Sequence, residues 1–259
     1  MNKANYENFW RGKWNDTTIF GPACRHRRRI MINLVKNLPH EHVLDLGCGD
    51  GSFLAEFSGK IKTSILAGAD ISQEALRIAR ENLPGIEFFQ TDLNGKFILN
   101  RRFDVIVLSE VLEHLENDDA LLEQIASFCH YVVISVPGGP ADKIDRRYGH
   151  IRNYSGQLIK EKLQYNGFDL VMYKRWGWPF YDLQQRLAYV EEDNAATPMN
   201  AGPYNSLRKF IARLIYALYF FNLPGFGEQV FVIGRSRLFN DSSGSVELFG
   251  HMYKKIYTF

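Results

Sequence analysis

The stretch Val43-Leu44-Asp45-Leu46-Gly47-Cys48-Gly49-Asp50-Gly51 restricts the fold of this chain more than any other. Val43, Leu44 and Leu46 suit a buried strand, and Asp45 is the single charge among them. The alternating glycines then predict a tight turn, because glycine alone takes positive φ freely and lets a ligand approach where a Cβ would block it. Ser52 to Phe57 reads as the start of a helix. Strand, glycine turn and helix in succession place a nucleotide-like ligand at the carboxyl edge of an α/β sheet. The dinucleotide fingerprint is G-x-G-x-x-G, with a pyrophosphate on the helix N-terminus. Here the glycines fall at 47, 49 and 51, and Ser52 stands where a third glycine of that fingerprint would be. An acid beside the turn favours a cation over a phosphate.

Further acids follow at strand ends. Ile65 to Ala69 predicts a second strand ending at Asp70, and Ser72 can cap a helix over Gln73 to Asn82. A carboxylate in the place of Asp70 can accept hydrogen bonds from both hydroxyls of a ribose. Ile86 to Gln90 reads as a third strand, followed by Thr91-Asp92-Leu93. Phe103 to Leu108 is a β-prone fourth strand that runs into Ser109-Glu110-Val111-Leu112-Glu113-His114-Leu115. If Glu110 to Leu115 is a helical turn, Glu110, Glu113 and His114 share one face. Such a face can hold a substrate hydroxyl or amine and take its proton, bind a divalent cation, or pair internally and only shape a pocket.

The glycine turn behind Asp45, the acids Asp70 and Asp92, and the segment from Phe103 to Leu115 together resemble the class I S-adenosylmethionine-dependent methyltransferases. The likeness is to their small-molecule, ubiquinone-methyltransferase-like branch (type 11). It implies a Rossmann-like sheet of seven mostly parallel strands, helices on both faces, and a last strand inserted antiparallel between the fifth and sixth. It implies S-adenosylmethionine as cofactor, released as S-adenosylhomocysteine. The cofactor-binding positions carried over are Asp45, Gly47, Cys48, Gly49, Gly51, Asp70, Ile71, Asp92, Leu93, Ser109 and Glu110. In that scheme Asp92 accepts from the adenine amino group, Leu93 offers an adjacent backbone N–H, and the Ser109 carbonyl accepts from the cofactor ammonium. The catalytic candidates are Glu110, His114 and His150. No metal is expected; if one binds, its ligands come from Glu110, Glu113, His114 and His150.

The rest of the chain frames this unit. Tyr6 to Trp14 suits an amphipathic helix, either a lid on the domain or one closing over the cofactor. Arg25-His26-Arg27-Arg28-Arg29 opens a lead-in helix; it reads as a solvated face, or else one arginine grips a carboxylate of the cofactor or substrate bidentately. A helix is expected over Asp118 to Phe128, and a fifth strand over Tyr131 to Val136, stopped by Pro137-Gly138-Gly139-Pro140. The pattern Gly149-His150-Ile151-Arg152-Asn153-Tyr154-Ser155 then places His150 on a loop over the pocket, near His114 or hydrogen-bonded to loop carbonyls. Arg152 either binds an acidic substrate group or ties the loop down. Ser155 caps a helix over Gln157 to Asn166, and strands follow over Phe168 to Lys174 and Phe226 to Arg235.

Three segments result: a helical lid and lead-in at 1–40, the catalytic domain at 41–237, and a tail at 238–259. The domain carries a helical insertion at 176–225, read as a substrate cap. A homodimer interface and a peripheral membrane contact through 207–223 are the other two roles open to that insertion.

The chain has 259 residues and a formal charge of +2, which gives no electrostatic case for nucleic acid. Cys24, Cys48 and Cys129 are far apart and form no C-x-x-C, which fits a reducing compartment. No leader-like apolar run follows Met1 and no run is long enough to span a bilayer, so a cytoplasmic location is expected. The expected activity is methyl transfer to an oxygen or nitrogen of a small, partly apolar metabolite, such as a natural-product, lipid-linked or sugar-linked intermediate. Two other classes compete: a catalytically silent binding or scaffold protein, and a nicotinamide oxidoreductase.

Overall fold

The computed structural model describes residues 7, 10–11, 15–62, 64–139, 149–194 and 203–239. Short apolar runs form the sheet: β1 (His42–Leu46), β2 (Ile65–Asp70), β3 (Glu87–Gln90), β4 (Phe103–Ser109), β5 (Cys129–Pro137), β6 (Phe168–Trp176) and β7 (Gln229–Ser236). Their order is β3-β2-β1-β4-β5-β7-β6. The first five strands pair in parallel, while β7 runs antiparallel to both β5 and β6. The expected seven-stranded sheet with a reversed last strand between the fifth and sixth is therefore present. That last strand begins at Gln229, three residues later than the sequence predicts.

Helices cover both faces, which is why the central strands are apolar on both sides. Val105, Ile106, Val107 and Leu108 in β4 are all fully buried. Alternate residues feed two cores. Val43, Val107, Val133 and Phe231 pack under α2 (Pro22–Val35) and α3 (Ser52–Lys60), while Leu44, Ile106, Val132 and Val232 pack under α5 (Asp118–Ala126) and α6 (Gly156–Tyr165). Before α2 lies the short α1 (Asn15–Phe20); α4 (Gln73–Asn82) follows β2, and Ser72 caps it by accepting from Ala75 N at 3.1 Å. Ser155 caps α6 in the same way, accepting from Leu158 N at 3.1 Å.

The insertion is helical, as expected, with α7 (Phe180–Asn194), α8 (Ser206–Leu218) and a 3-10 turn over Tyr219–Phe221. It overturns one reading of the sequence. The basic run on α2 is not a solvated face. His26 is fully buried, its ring stacked on Trp176 at 4.5 Å and ringed by Tyr216, Tyr219 and Phe220. Arg25 and Arg29 lie over the rings of Tyr216 and Phe220. Arg28 donates to Glu56 at 3.2 Å. Of the expected N-terminal helix, only Glu7, Trp10 and Arg11 lie within the described residues, as does none of the tail beyond Phe239. Glu7 accepts from the backbone N–H groups of Gln73 and Glu74, at the exposed start of α4.

Burial, then the Arg29 guanidinium, push His26 from 6.5 down to about 3. Between those values the unfolded chain binds a proton that the folded chain refuses, so stability is complete above 6.5 and falls as pH drops toward 3. His26→Phe keeps the aromatic contact and removes the proton. It is expected to flatten the acid side of the Tm-versus-pH curve measured by calorimetry; curves that stay parallel would refute the assignment.

Candidate functional site

The glycine turn after β1 works as the sequence suggests. Gly47, Gly49 and Gly51 all have positive φ, at 79°, 53° and 75°. A Cβ on Gly47 would stand 2.5 Å from Val111, and one on Gly49 would stand 2.7 Å from Trp10. The turn hangs from β2 through Gly47 N and Cys48 N, which donate to Ala69 O at 2.7 and 3.0 Å. Asp70 completes the link. One carboxylate oxygen accepts from Gly49 N and the other from Ser72 N, both at 2.9 Å. Burial outweighs these donors and raises its pKa.

These groups form one wall of a cavity of about 430 Å³ at the carboxyl edge of the sheet. Asp45, Gly47, Cys48, Gly49, Asp70, Ile71, Asp92, Leu93, Ser109, Glu110, His114 and His150 all line it. Gly51 does not; it packs behind the turn against Ala79, Leu83 and Phe88. Burial, then the neighbouring Asp70 and Asp50 carboxylates, push Asp45 up to about 8. A carboxyl held so high gains from any cation placed beside it. The mixed polar and apolar wall, crowded by acids rather than donors, fits a cationic nucleoside better than a pyrophosphate.

The far wall departs from the predicted helical face. Only Leu112–His114 form a helical turn, of 3-10 type. Glu110 precedes it in left-handed backbone, φ 57°, a conformation costly for a residue with a Cβ. Its carboxylate accepts from Ser135 Oγ at 3.0 Å and Gln229 Nε2 at 2.9 Å, and faces Arg27 Nη1 at 3.4 Å. Gln229 in turn donates to Val136 O and accepts from Tyr181 OH at 3.0 Å. Glu110 therefore joins β4, β5, β7, α2 and α7, and does not share a face with Glu113 and His114. The bidentate grip on a cofactor or substrate carboxylate expected of the basic run is not what Arg27 makes: it faces the protein's own Glu110 through one nitrogen.

His114 instead meets His150. Their rings lie 4.7 Å apart at 81°, and His114 Nδ1 is 3.3 Å from Gly149 O. Burial, then His150, push His114 down to about 4, so it is neutral at physiological pH. Glu113 is fully buried, and one ligand atom from each of Glu113, His114 and His150 lies within 4.8 Å of the others. Two imidazoles and a carboxylate make a donor set suited to a first-row divalent ion. The His150 loop is fastened rather than loose. Ile151 N donates to Glu113 O at 2.8 Å, Tyr154 OH donates to Asp118 at 2.7 Å, and Arg152 pairs with Asp118. Arg152 ties the loop down, the second of the two roles considered for it.

Several lining residues were not singled out from the sequence. Asp50 sits inside the glycine motif, where it read as a turn residue; it accepts from Thr18 Oγ at 2.6 Å and from Ser52 N at 3.0 Å. Its acidity was the available signal. Gln184 and Gln185 of α7 reach the cavity from the insertion, and no spacing pattern marks them. Trp10, within the predicted lid, lines the cavity beside Gly49.

Comparison with known proteins adds independent information. A family described as a methyltransferase domain matches residues 23–173, more than half of the chain. The ribosomal protein L11 methyltransferase of Caldanaerobacter subterraneus is 30% identical over 119 residues, 40% of this chain and 38% of that protein. The trans-aconitate 2-methyltransferase of Acidovorax ebreus is 36% identical over 81 residues, 30% of this chain and 31% of that protein. The chain spans about a third of the length of the curated relatives it matches. Among solved structures, the N-methyltransferase NodS of Bradyrhizobium japonicum, in complex with S-adenosylhomocysteine, superposes with a TM-score of 0.54 at 16% identity, over 84% of this chain and 89% of that one.

Glu110→Ala leaves Arg27 facing a cavity without its anion and Gln229 with Val136 O but without its carboxylate acceptor. It is expected to cost about 2 kcal/mol in urea unfolding. The double variant Arg27→Leu/Glu110→Leu should recover part of that loss, because the unpaired charge goes too. No recovery would mean that the ion pair is incidental.

Proposed function

The chain belongs to the methyltransferase-domain family, and on that premise we propose that it moves the methyl group of S-adenosylmethionine to an oxygen or nitrogen of a small, partly apolar metabolite. The observation that carries this reading is a single cavity with an acidic glycine turn on one wall and a histidine pair on the other. When bound, the cofactor supplies an electrophilic methyl on a sulfonium that departs as a neutral thioether.

The residues present suit that group. Asp50 and Asp70 flank the turn with carboxylates for its cationic end, and Asp45, held up to about 8, releases its proton more readily once a cation sits beside it. Asp70 has lone pairs beyond those used by Gly49 and Ser72, enough for ribose hydroxyls. Asp92 and Leu93 take the base, and Ser109 and Glu110 border the amino-acid end. His114 and His150 receive the acceptor. An amine needs only its lone pair aimed at the methyl, so holding it there is the main task. A hydroxyl must also lose its proton, and His114 offers the ring nitrogen remote from Gly149 for it. Gln184 and Gln185 of the insertion, with the apolar Phe53, Val111 and Leu115 of the cavity wall, favour a small molecule over a polypeptide; the L11 enzyme shows that the opposite choice exists among relatives.

Titration calorimetry tests the cofactor half. S-adenosylhomocysteine is expected to bind and NADH is not, and Asp70→Asn should weaken the nucleoside by about tenfold or more, the worth of a lost charged hydrogen bond. Unchanged affinity would place the nucleoside elsewhere. Turnover assays over small amine and hydroxyl acceptors test the second half. His114→Ala should keep nucleoside affinity and lower the rate about 10²-fold. A protein that binds the nucleoside and turns over no acceptor would instead be a silent binder.

Glu113, His114 and His150 carry a second reading as a divalent-metal clamp on acceptor oxygens. Chelation is expected to leave turnover unchanged. A loss restored by manganese or zinc would assign the cluster to a metal.

A further inference from the structure

Helix α8 is apolar on two sides. Ala212 and Tyr219 are buried, and with Tyr216 they turn toward the body, where Tyr216 and Tyr219 close over His26 of α2. Leu207, Phe210, Ile211, Leu214 and Leu218 recur at i, i+3, i+4, i+7 and i+11 and are all exposed. The stripe continues past the helix. Phe221 is 70% exposed and Phe226 is 62% exposed, and both are too large to leave in water at no cost. Backbone bonds from Leu223 N to Trp178 O (2.7 Å) and from Trp178 N to Phe226 O (3.4 Å) clamp the exposed Trp178 turn to this end. The outward surface thus runs from a leucine–phenylalanine stripe to an aromatic tip.

Along this segment the charges are one-signed. Residues 203–227 contain Arg208, Lys209 and Arg213 and no Asp or Glu. At 100° per residue Arg208 and Arg213 fall to either side of the apolar stripe, while Lys209 turns toward the body. The charged ends of Arg208 and Lys209 lie 4.2 Å from the ring centroids of Tyr204 and Phe20. An apolar stripe flanked by cations and ending in tryptophan and phenylalanine is the arrangement of a helix that lies in a lipid interface. Thirteen residues are too short to cross a bilayer, and no helix among the described residues is long and apolar enough to do so. A second copy of the chain would bring its own Arg208 and Arg213 against these, a like-charge contact that works against pairing.

We propose that the outer face of α8, with Trp178, Phe221, Leu223 and Phe226, docks the protein on the surface of an anionic lipid bilayer. The apolar stripe enters the headgroup–acyl boundary, and Arg208 and Arg213 at its edges meet lipid phosphates. The 3-10 turn after α8 also reaches the cavity, because Tyr219 OH donates to Gln184, a lining residue. The docked face and the cavity wall are thus joined by one hydrogen bond.

Vesicle flotation of the full chain tests this without cofactor or acceptor. Binding is expected to vesicles of phosphatidylcholine with a third phosphatidylglycerol, and to be about tenfold weaker on phosphatidylcholine alone or in high salt. Leu214→Glu should reduce binding about tenfold or more, and Arg213→Gln about fivefold, the worth of one charge at an anionic surface. Both variants should keep the parent's circular dichroism and nucleoside affinity, which separates lost docking from lost folding. No flotation with anionic vesicles overturns the proposal. So does flotation that Leu214→Glu leaves unchanged, or a concentration-dependent dimer that Leu214→Glu dissociates in the absence of vesicle binding.

Discussion

The Asp70 carboxylate is the joint on which the site depends. Buried at the end of β2, it receives one backbone N–H from the glycine turn and another from the start of α4. A buried charge without partners would be expelled or neutralised. These two donors make it tolerable, and in return it ties the glycine turn to the start of α4, adding to the bonds from Gly47 N and Cys48 N to Ala69 O. Asp45 and Asp50 then crowd the same turn, so the carboxyl edge is electrostatically unsatisfied toward the cavity. That tension is what a cationic ligand relieves.

Glu110 plays the corresponding part on the other wall. Its left-handed backbone is uphill, and the compensation comes from Ser135, Gln229 and Arg27 together. The carboxylate thereby closes the seam where parallel β4 and β5 meet antiparallel β7. Turned this way, it leaves the far wall of the cavity to His114 and His150. The two walls differ in character: one is lined by carboxyls, while the other presents imidazoles, of which His114 is held neutral by burial.

Much of this was legible in the chain. The glycine turn, the strand-end acids Asp70 and Asp92, and the apolar runs of β1, β4 and β5 each reveal themselves within a few residues, because strand period and turn chemistry are local. The reversed last strand came from family likeness, and the pairing of β7 with β5 and β6 bears it out. What escaped was long-range. Glu110 meets Gln229 across 119 positions, and no local period encodes that. The run Arg25 to Arg29 looked solvated because charge usually means surface. It is covered by Trp176, Tyr216 and Phe220, all from elements far along the chain. Gly51 misled in the opposite sense: it belongs to the motif and yet serves helix packing behind the turn.

The reversal of β7 has one more consequence. Trp176, the last residue of β6, stands directly opposite Gln229, the first of β7. The intervening stretch therefore leaves and rejoins the sheet at a single point, like a handle with both ends on one bracket. Lengthening or replacing such a handle adds only a slowly growing closure entropy and disturbs no strand crossing. The whole attachment can thus be exchanged while the glycine turn and the acids around it stay untouched.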